Sequence, residues 1–81
     1  MQTVLSRKIK LLWDFRGEDA AATAKHHTIH LKEFADLEKL PFHEIGQQEK
    51  NPMLVSAFIT VAEAEMKTYR DALKPHRGEI G

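Results

Sequence analysis

Met53-Leu-Val-Ser-Ala-Phe-Ile-Thr-Val61 is the stretch on which the fold turns. Met53, Val55, Ala57, Ile59 and Val61 share one side of an extended chain, and Leu54, Ser56, Phe58 and Thr60 share the other. Side chains alternate across a strand, so two largely apolar sides point to a strand covered on both. This segment is expected to be the central strand of a sheet.

Upstream, Arg7-Lys-Ile-Lys-Leu-Leu-Trp-Asp-Phe-Arg16 repeats the period of two. Ile9, Leu11, Trp13 and Phe15 fall on one side, and Lys8, Lys10, Asp14 and Arg16 on the other, with Leu12 as the exception. That is the pattern of a half-buried strand. Gly17 ends it, and Glu18 and Asp19 place negative charge at a helix start, with Asp19 as N-cap. A helix is predicted from about Asp19 to Lys39. Ala20, Thr23, Ala24, His27, Leu31, Phe34 and Leu37 recur along its apolar stripe, and His30 lies at the edge of that stripe. Pro41 stops the helix. Residues 42–48 read as a weaker strand, and Glu49-Lys-Asn-Pro52 as a turn. Thr60 and Glu63 have the spacing of a capping box. The second helix carries Ala62, Met66, Tyr69 and Leu73 on one stripe and ends at Pro75. The tail from His76 is short enough to add at most a brief edge strand.

The order strand, helix, strand, strand, helix predicts an α+β chain of one domain, 1–81. A right-handed crossover places both helices on one sheet face. The expected architecture is a two-layer sandwich, ferredoxin-like βαββα, with a short or missing final strand. Its other sheet face is expected to be bare and partly apolar. Such a patch usually marks an interface, so the sheet face is expected to pair two copies into a homodimer.

Composition limits the function classes. A chain of 81 residues buries only roughly 60–65% of the surface its unfolded form exposes. Self-association is one way to add to that burial. Twelve acidic residues balance twelve basic ones, which argues against nucleic-acid partners and against docking on anionic membranes. There is no cysteine, which suits a reducing compartment. The start, Met1 to Ser6, lacks the apolar core of a signal peptide, and no apolar run approaches the ~20 residues that span a bilayer. A cytoplasmic location is expected.

The candidate chemistry lies in the histidines. An imidazole on an apolar stripe costs free energy unless its ring finds a hydrogen-bond partner. His27 and His30 are candidate acid–base residues, because an imidazole can exchange a proton near neutral pH. Asp14, leaving the first strand, is the candidate carboxylate that orients the ring. Arg16 beside Gly17, at a helix entrance, is a candidate for holding an anion. Trp13 is a candidate stacking surface, with core packing as its plainer role. Asp14, Arg16, His27 and His30 together are expected to line a small polar pocket for a small polar or anionic ligand. A second reading takes His26, His30 and Glu33 as metal ligands on one helix face, with His43 or Glu44 as a further donor. Ser6, Ser56 and Thr60 have no flanking base that would make a nucleophile of them. No cofactor is implied.

A strand ending near Leu12-Trp-Asp14, a helix bearing His30-Leu31 with an apolar continuation, and a strand of the Leu54–Val61 type resemble the YCII-related members of the dimeric α/β-barrel group. The resemblance covers roughly residues 8–62. It implies a small ferredoxin-like dimer with a His/Asp pair, His30 matching the helix histidine and Asp14 the acid after the first strand. This chain has His27 where that pattern has a basic residue, and Lys74-Pro75 where it has Asp-Pro. Three functions follow from the sequence. The leading one is a binding or structural module with a small polar pocket. The others are a dimeric α/β-barrel enzyme using His/Asp acid–base chemistry and a metal-binding protein with a histidine-rich helix.

Overall fold

A computed structural model describes residues 7–80 of the chain. Its elements are β1 (Lys8–Arg16), α1 (Ala20–Glu38), β2 (Glu44–Asn51), β3 (Leu54–Ala62), α2 (Glu63–Leu73) and β4 (Arg77–Ile80). The sheet is antiparallel with strand order β2-β3-β1-β4. The two-sided segment is therefore central, as its pattern requires. β1 lies along the whole of β3, from Lys8 opposite Ala62 to Arg16 opposite Leu54. This α+β arrangement, with β1 and β2 flanking β3, is consistent with the ferredoxin-like layout. The final strand is present but short: Ile9–Leu12 of β1 pair with Arg77–Ile80.

The period of two decides which residues meet which layer. Leu11 and Trp13 of β1 and Val55, Ala57, Ile59 and Val61 of β3 join Ala20, Ala24, Leu31 and Ala35 of α1 and Tyr69 of α2 in one buried cluster. Both helices thus pack on the same sheet face. The Phe34 and Tyr69 rings meet across the helices, centroids 5.7 Å apart. The Tyr69 hydroxyl, on a fully buried ring, donates to the carbonyls of Leu40 and Pro41, each at 3.3 Å.

Turn chemistry closes the layers. Gly17 adopts φ 106°, a conformation that L side chains resist. Its N–H donates to the Met53 carbonyl at 2.9 Å, tying the β1 exit to the β2–β3 hairpin. Within that hairpin Asn51 Oδ1 accepts the Met53 N–H at 2.9 Å, the side-chain turn that favours Asn here.

Several expectations need correction. Asp19 is the N-cap of α1, but its side chain makes no capping hydrogen bond. The Thr60–Glu63 capping box does not form: β3 continues through Ala62, which is the N-cap, and Thr60 stays in the strand opposite Lys10 and Glu44. The second strand starts two residues later than expected, because Phe42 packs against the core and the His43 N–H is already held by the Thr60 carbonyl at 2.7 Å. Leu37 is 78% exposed and leaves the apolar stripe. His30, at the edge of the stripe, faces solvent, its side chain 57% exposed.

The uncovered sheet face is not the bare apolar surface that was expected. Leu12 and Phe58 at its centre are already buried, at 0% and 7% exposure. Lys10 Nζ lies 4.5 Å over the Phe58 ring and reaches Gln48 Oε1 at 3.1 Å. Long polar side chains roof the small apolar centre, as amphipathic stems commonly do. No described helix is long and apolar enough to cross a membrane.

Candidate functional site

The uncovered face carries a polar cleft of about 600 Å³ at the end where β1 leaves the sheet. All four strands build it. Asp14 and Arg16 come from β1, Leu54 and Ser56 from β3, Gln48 to Lys50 from β2, and Arg77 and Glu79 from β4. Register explains the grouping: Asp14 stands opposite Ser56, which stands opposite Gln48, in one row across the sheet. The volume falls within the range of small-ligand sites.

Asp14 organises the cleft. Its carboxylate accepts from Ser56 Oγ at 2.5 Å and from Arg77, with Nε 3.0 Å from Oδ2 and Nη2 3.3 Å from Oδ1. Paired, charge-assisted bonds of this kind fix orientation as well as charge. The Arg77 hydrogen bonds first, and the Ser56 hydroxyl second, hold the Asp14 carboxyl below its ordinary range, against a smaller opposing effect of burial. Hydrogen bonding to Asp14 raises the Arg77 pKa in turn. Arg77 also pairs with Glu79. The backbone takes part as well: the Asp14 N–H donates to His76 Nδ1 at 2.8 Å. His76 therefore accepts through Nδ1, and its ring pins the α2–β4 connection to β1. Among the described residues neither Arg16, Lys50 nor Glu49 has an oppositely charged partner within ion-pair distance. The rim thus offers two free cations and one free carboxylate.

The expected pocket of Asp14, Arg16, His27 and His30 is not assembled. Asp14 and Arg16 face the cleft, whereas His27 lies under α1 on the opposite sheet face. There the His27 ring packs against Trp13 at 4.7 Å and Phe15 at 5.6 Å. Its Nε2 is buried with no hydrogen-bond partner among the described residues. Desolvation lowers its pKa, and the nearby His30, His76 and His26 push the same way. His30 sits further out on α1, its Nδ1 3.2 Å from Glu33 Oε1 and its Nε2 2.9 Å from His26 Nε2. Neither ring reaches Asp14, because alternation across the strand puts the sheet between them. Trp13 is 3% exposed, with its indole N–H donated to the Leu73 carbonyl at 2.9 Å. It is part of the core and does not line the cleft.

The metal reading is reshaped too. Among the described residues no three His, Asp or Glu groups are placed to hold an ion together. His26, His30 and Glu33 do adjoin, as their spacing requires, but Glu33 meets the far nitrogen of His30. His43 and Glu44 stand at the other end of the uncovered face, beside Lys8, Lys10 and Thr60. Ser56, set aside as a nucleophile, is instead the hydroxyl that donates to Asp14. Ser6 lies outside the described residues.

Of the cleft residues, sequence reading picked out Asp14 and Arg16 and missed the rest, above all Ser56, Arg77 and Lys50. Their signal was faint: Ser56 is the polar exception in an apolar strand, and Arg77-Gly-Glu79 alternates charges outward. Comparison of the chain with protein-family models, curated proteins and solved structures finds no match.

Proposed function

We propose that this chain is a small binding module whose ligand, a small polar molecule carrying an anionic group, sits in the cleft on the uncovered sheet face. The observation that carries this reading is the Asp14–Ser56–Arg77 network across the sheet, beside Arg16 and Lys50, whose charges have no partner among the described residues. A scaffold that fixes its own acid and leaves two cations free against one carboxylate, Glu49, is arranged to receive an anion from outside. Acid–base catalysis is the weaker alternative, since both Asp14 oxygens are committed to Ser56 and Arg77, and the one imidazole beside Asp14, that of His76, is bonded through Nδ1 to the backbone N–H.

The YCII-like resemblance and twofold pairing of two chains through this face remain part of the proposal, with a changed driving force. The face offers Asp14, Arg16, Arg77 and Glu79 at the cleft end with Leu54, and Lys8 and Lys10 at the other end, so pairing would rest on charge and would weaken with salt. A sedimentation mass near that of the monomer at both low and high salt would remove the dimer and leave the binding reading standing.

The test of binding is a thermal-shift screen against small carboxylates, phosphates and amino acids. An anion that binds the folded chain raises its melting temperature by mass action. The expected result is a rise that disappears in an Arg16→Ala/Lys50→Ala double variant of normal stability. No rise with any class of anion, or one retained in that variant, would contradict the proposal.

A further inference from the structure

We infer that His26 and His30 form a two-point imidazole clamp for a divalent transition ion that favours right-angle ligands, Cu²⁺ or Ni²⁺, with Glu33 positioning the His30 ring. This site lies on the helical layer and does not depend on the reading of the cleft. The two histidines are one turn apart, so their rings rise from the same stripe of α1. Their Nε2 atoms stand 2.9 Å apart. The ring centroids are 4.5 Å apart, and the planes cross at 87°. Two ring nitrogens this close share a single hydrogen; an ion would displace it and sit to one side of the line joining them, at the apex of the bite.

The spacing selects the ion. Nitrogens bound at about 2.0–2.1 Å with a right-angle bite stand about 2.9 Å apart, with ring centroids about 4.6 Å apart, whereas a tetrahedral bite needs about 3.4 Å. The observed pair matches the first arrangement without moving. Tetragonal and octahedral sites suit Cu²⁺ and Ni²⁺. Tetrahedral zinc would need the nitrogens to separate by about half an ångström.

Glu33 supplies the second observation. Its Oε1 lies 3.2 Å from His30 Nδ1. The contact is at ion-pair distance, and a carboxylate turned to accept Nδ1–H when an ion binds would fix the tautomer in which Nε2 presents its lone pair, the usual outer support of a metal-bound imidazole. Glu33 is therefore a positioning residue here rather than a ligand. Since no three such groups adjoin among the described residues, the clamp fills two coordination positions. The others are left to water or to a donor from outside the chain. His26 and His30 are both exposed, so an ion reaches them without disturbing the helix.

The experiment is calorimetric titration of the tag-free full chain with Ni²⁺ and with Cu²⁺, alongside His26→Ala, His30→Ala, Glu33→Gln and His43→Ala. Alanine favours helix, and far-UV circular dichroism checks that each variant is folded. The expected result is one ion per chain. His26→Ala and His30→Ala should each weaken binding at least roughly tenfold through loss of chelation. Glu33→Gln should weaken it roughly tenfold through loss of ring orientation, and His43→Ala should change nothing. The Cu²⁺ form should show hyperfine coupling to two equivalent nitrogens in its paramagnetic resonance spectrum. Absence of binding at millimolar ion, wild-type affinity in His26→Ala or His30→Ala, or coupling to one nitrogen alone would overturn the clamp. Wild-type affinity in Glu33→Gln would overturn the role of Glu33.

Discussion

Replacing Asp14 by Asn removes one charge and leaves the shape and the backbone N–H to His76 in place. In the native chain Arg77 Nε donates to Asp14 Oδ2 at 3.0 Å, and Ser56 Oγ to Oδ1 at 2.5 Å. A hydrogen bond to a charged group contributes about 1.5–3 kcal/mol. Arg77 is 43% exposed and Asp14 25%, so solvent screening cuts this to about 1–2 kcal/mol for the variant as a whole. For a domain of this size, about 1 kcal/mol shifts the melting midpoint by roughly 4–8 °C. The loss should be local as well. β4 is four residues long and pairs only with Ile9–Leu12, and Arg77 is its anchor. Amide exchange at Gly78 to Ile80 should therefore accelerate more than at β3. The pH dependence gives the sharpest check. The folded-state pKa of Asp14 lies below its ordinary value of 3.8. Its contribution is thus fully present above that value and is lost as pH falls through the folded pKa. Urea unfolding of the native chain and of Asp14→Asn at pH 7 and in strong acid should give a gap of about 1–2 kcal/mol that closes on acidification. A gap below about 0.3 kcal/mol at pH 7, or one unchanged in acid, would refute the role given to Asp14.

Other consequences follow from the same packing. His27 has a pKa lowered from 6.5, so the unfolded chain takes up that proton first. Stability should fall as pH drops below about 6.5, and His27→Leu should reduce that slope in urea titrations between neutral and mildly acidic pH. Tyr69→Phe deletes a hydroxyl shared by the Leu40 and Pro41 carbonyls and should cost about 1 kcal/mol in the same assay. Gly46→Ala would place a Cβ 3.1 Å from Phe58 Cζ; pushing that ring should cost about 1–2 kcal/mol, read as a lower melting temperature. Leu31→Ala empties a fully buried site, and the expected loss of about 2–5 kcal/mol should bring the chain close to unfolding at 37 °C.

How far the sequence spoke for this fold depends on the range of each interaction. β1 and β3 were legible because a period of two is local, and Gly17, Pro41, Pro52 and Pro75 bound the elements around them. β2 starts two residues later than expected because Phe42 and His43, which continue no alternation, are held by the core and by Thr60, and it ends three residues later, taking in Glu49–Asn51, which had read as a turn. β4 has no apolar pattern at all and exists through pairing with β1. Asp14 and Arg16 were visible at a strand end, but Ser56 and Arg77 join them only through register. The expected Asp14–His27 pair failed for a reason already present in the pattern: Asp14 alternates to the face opposite Trp13, and the helix carrying His27 covers Trp13. The bare apolar face failed because Leu12 and Phe58 are buried at its centre and Lys10 lies over the Phe58 ring, which residue type alone does not reveal.

The central claim is that the uncovered sheet face is a ligand-receiving surface centred on Asp14. Its most direct test is amide chemical-shift mapping of the ¹⁵N-labelled chain with the best anion from the thermal screen. Saturable shifts are expected at Asp14, Arg16, Lys50, Ser56 and Arg77, with α1 unaffected. Shifts confined to the helical layer, or none at saturating ligand, would contradict the claim.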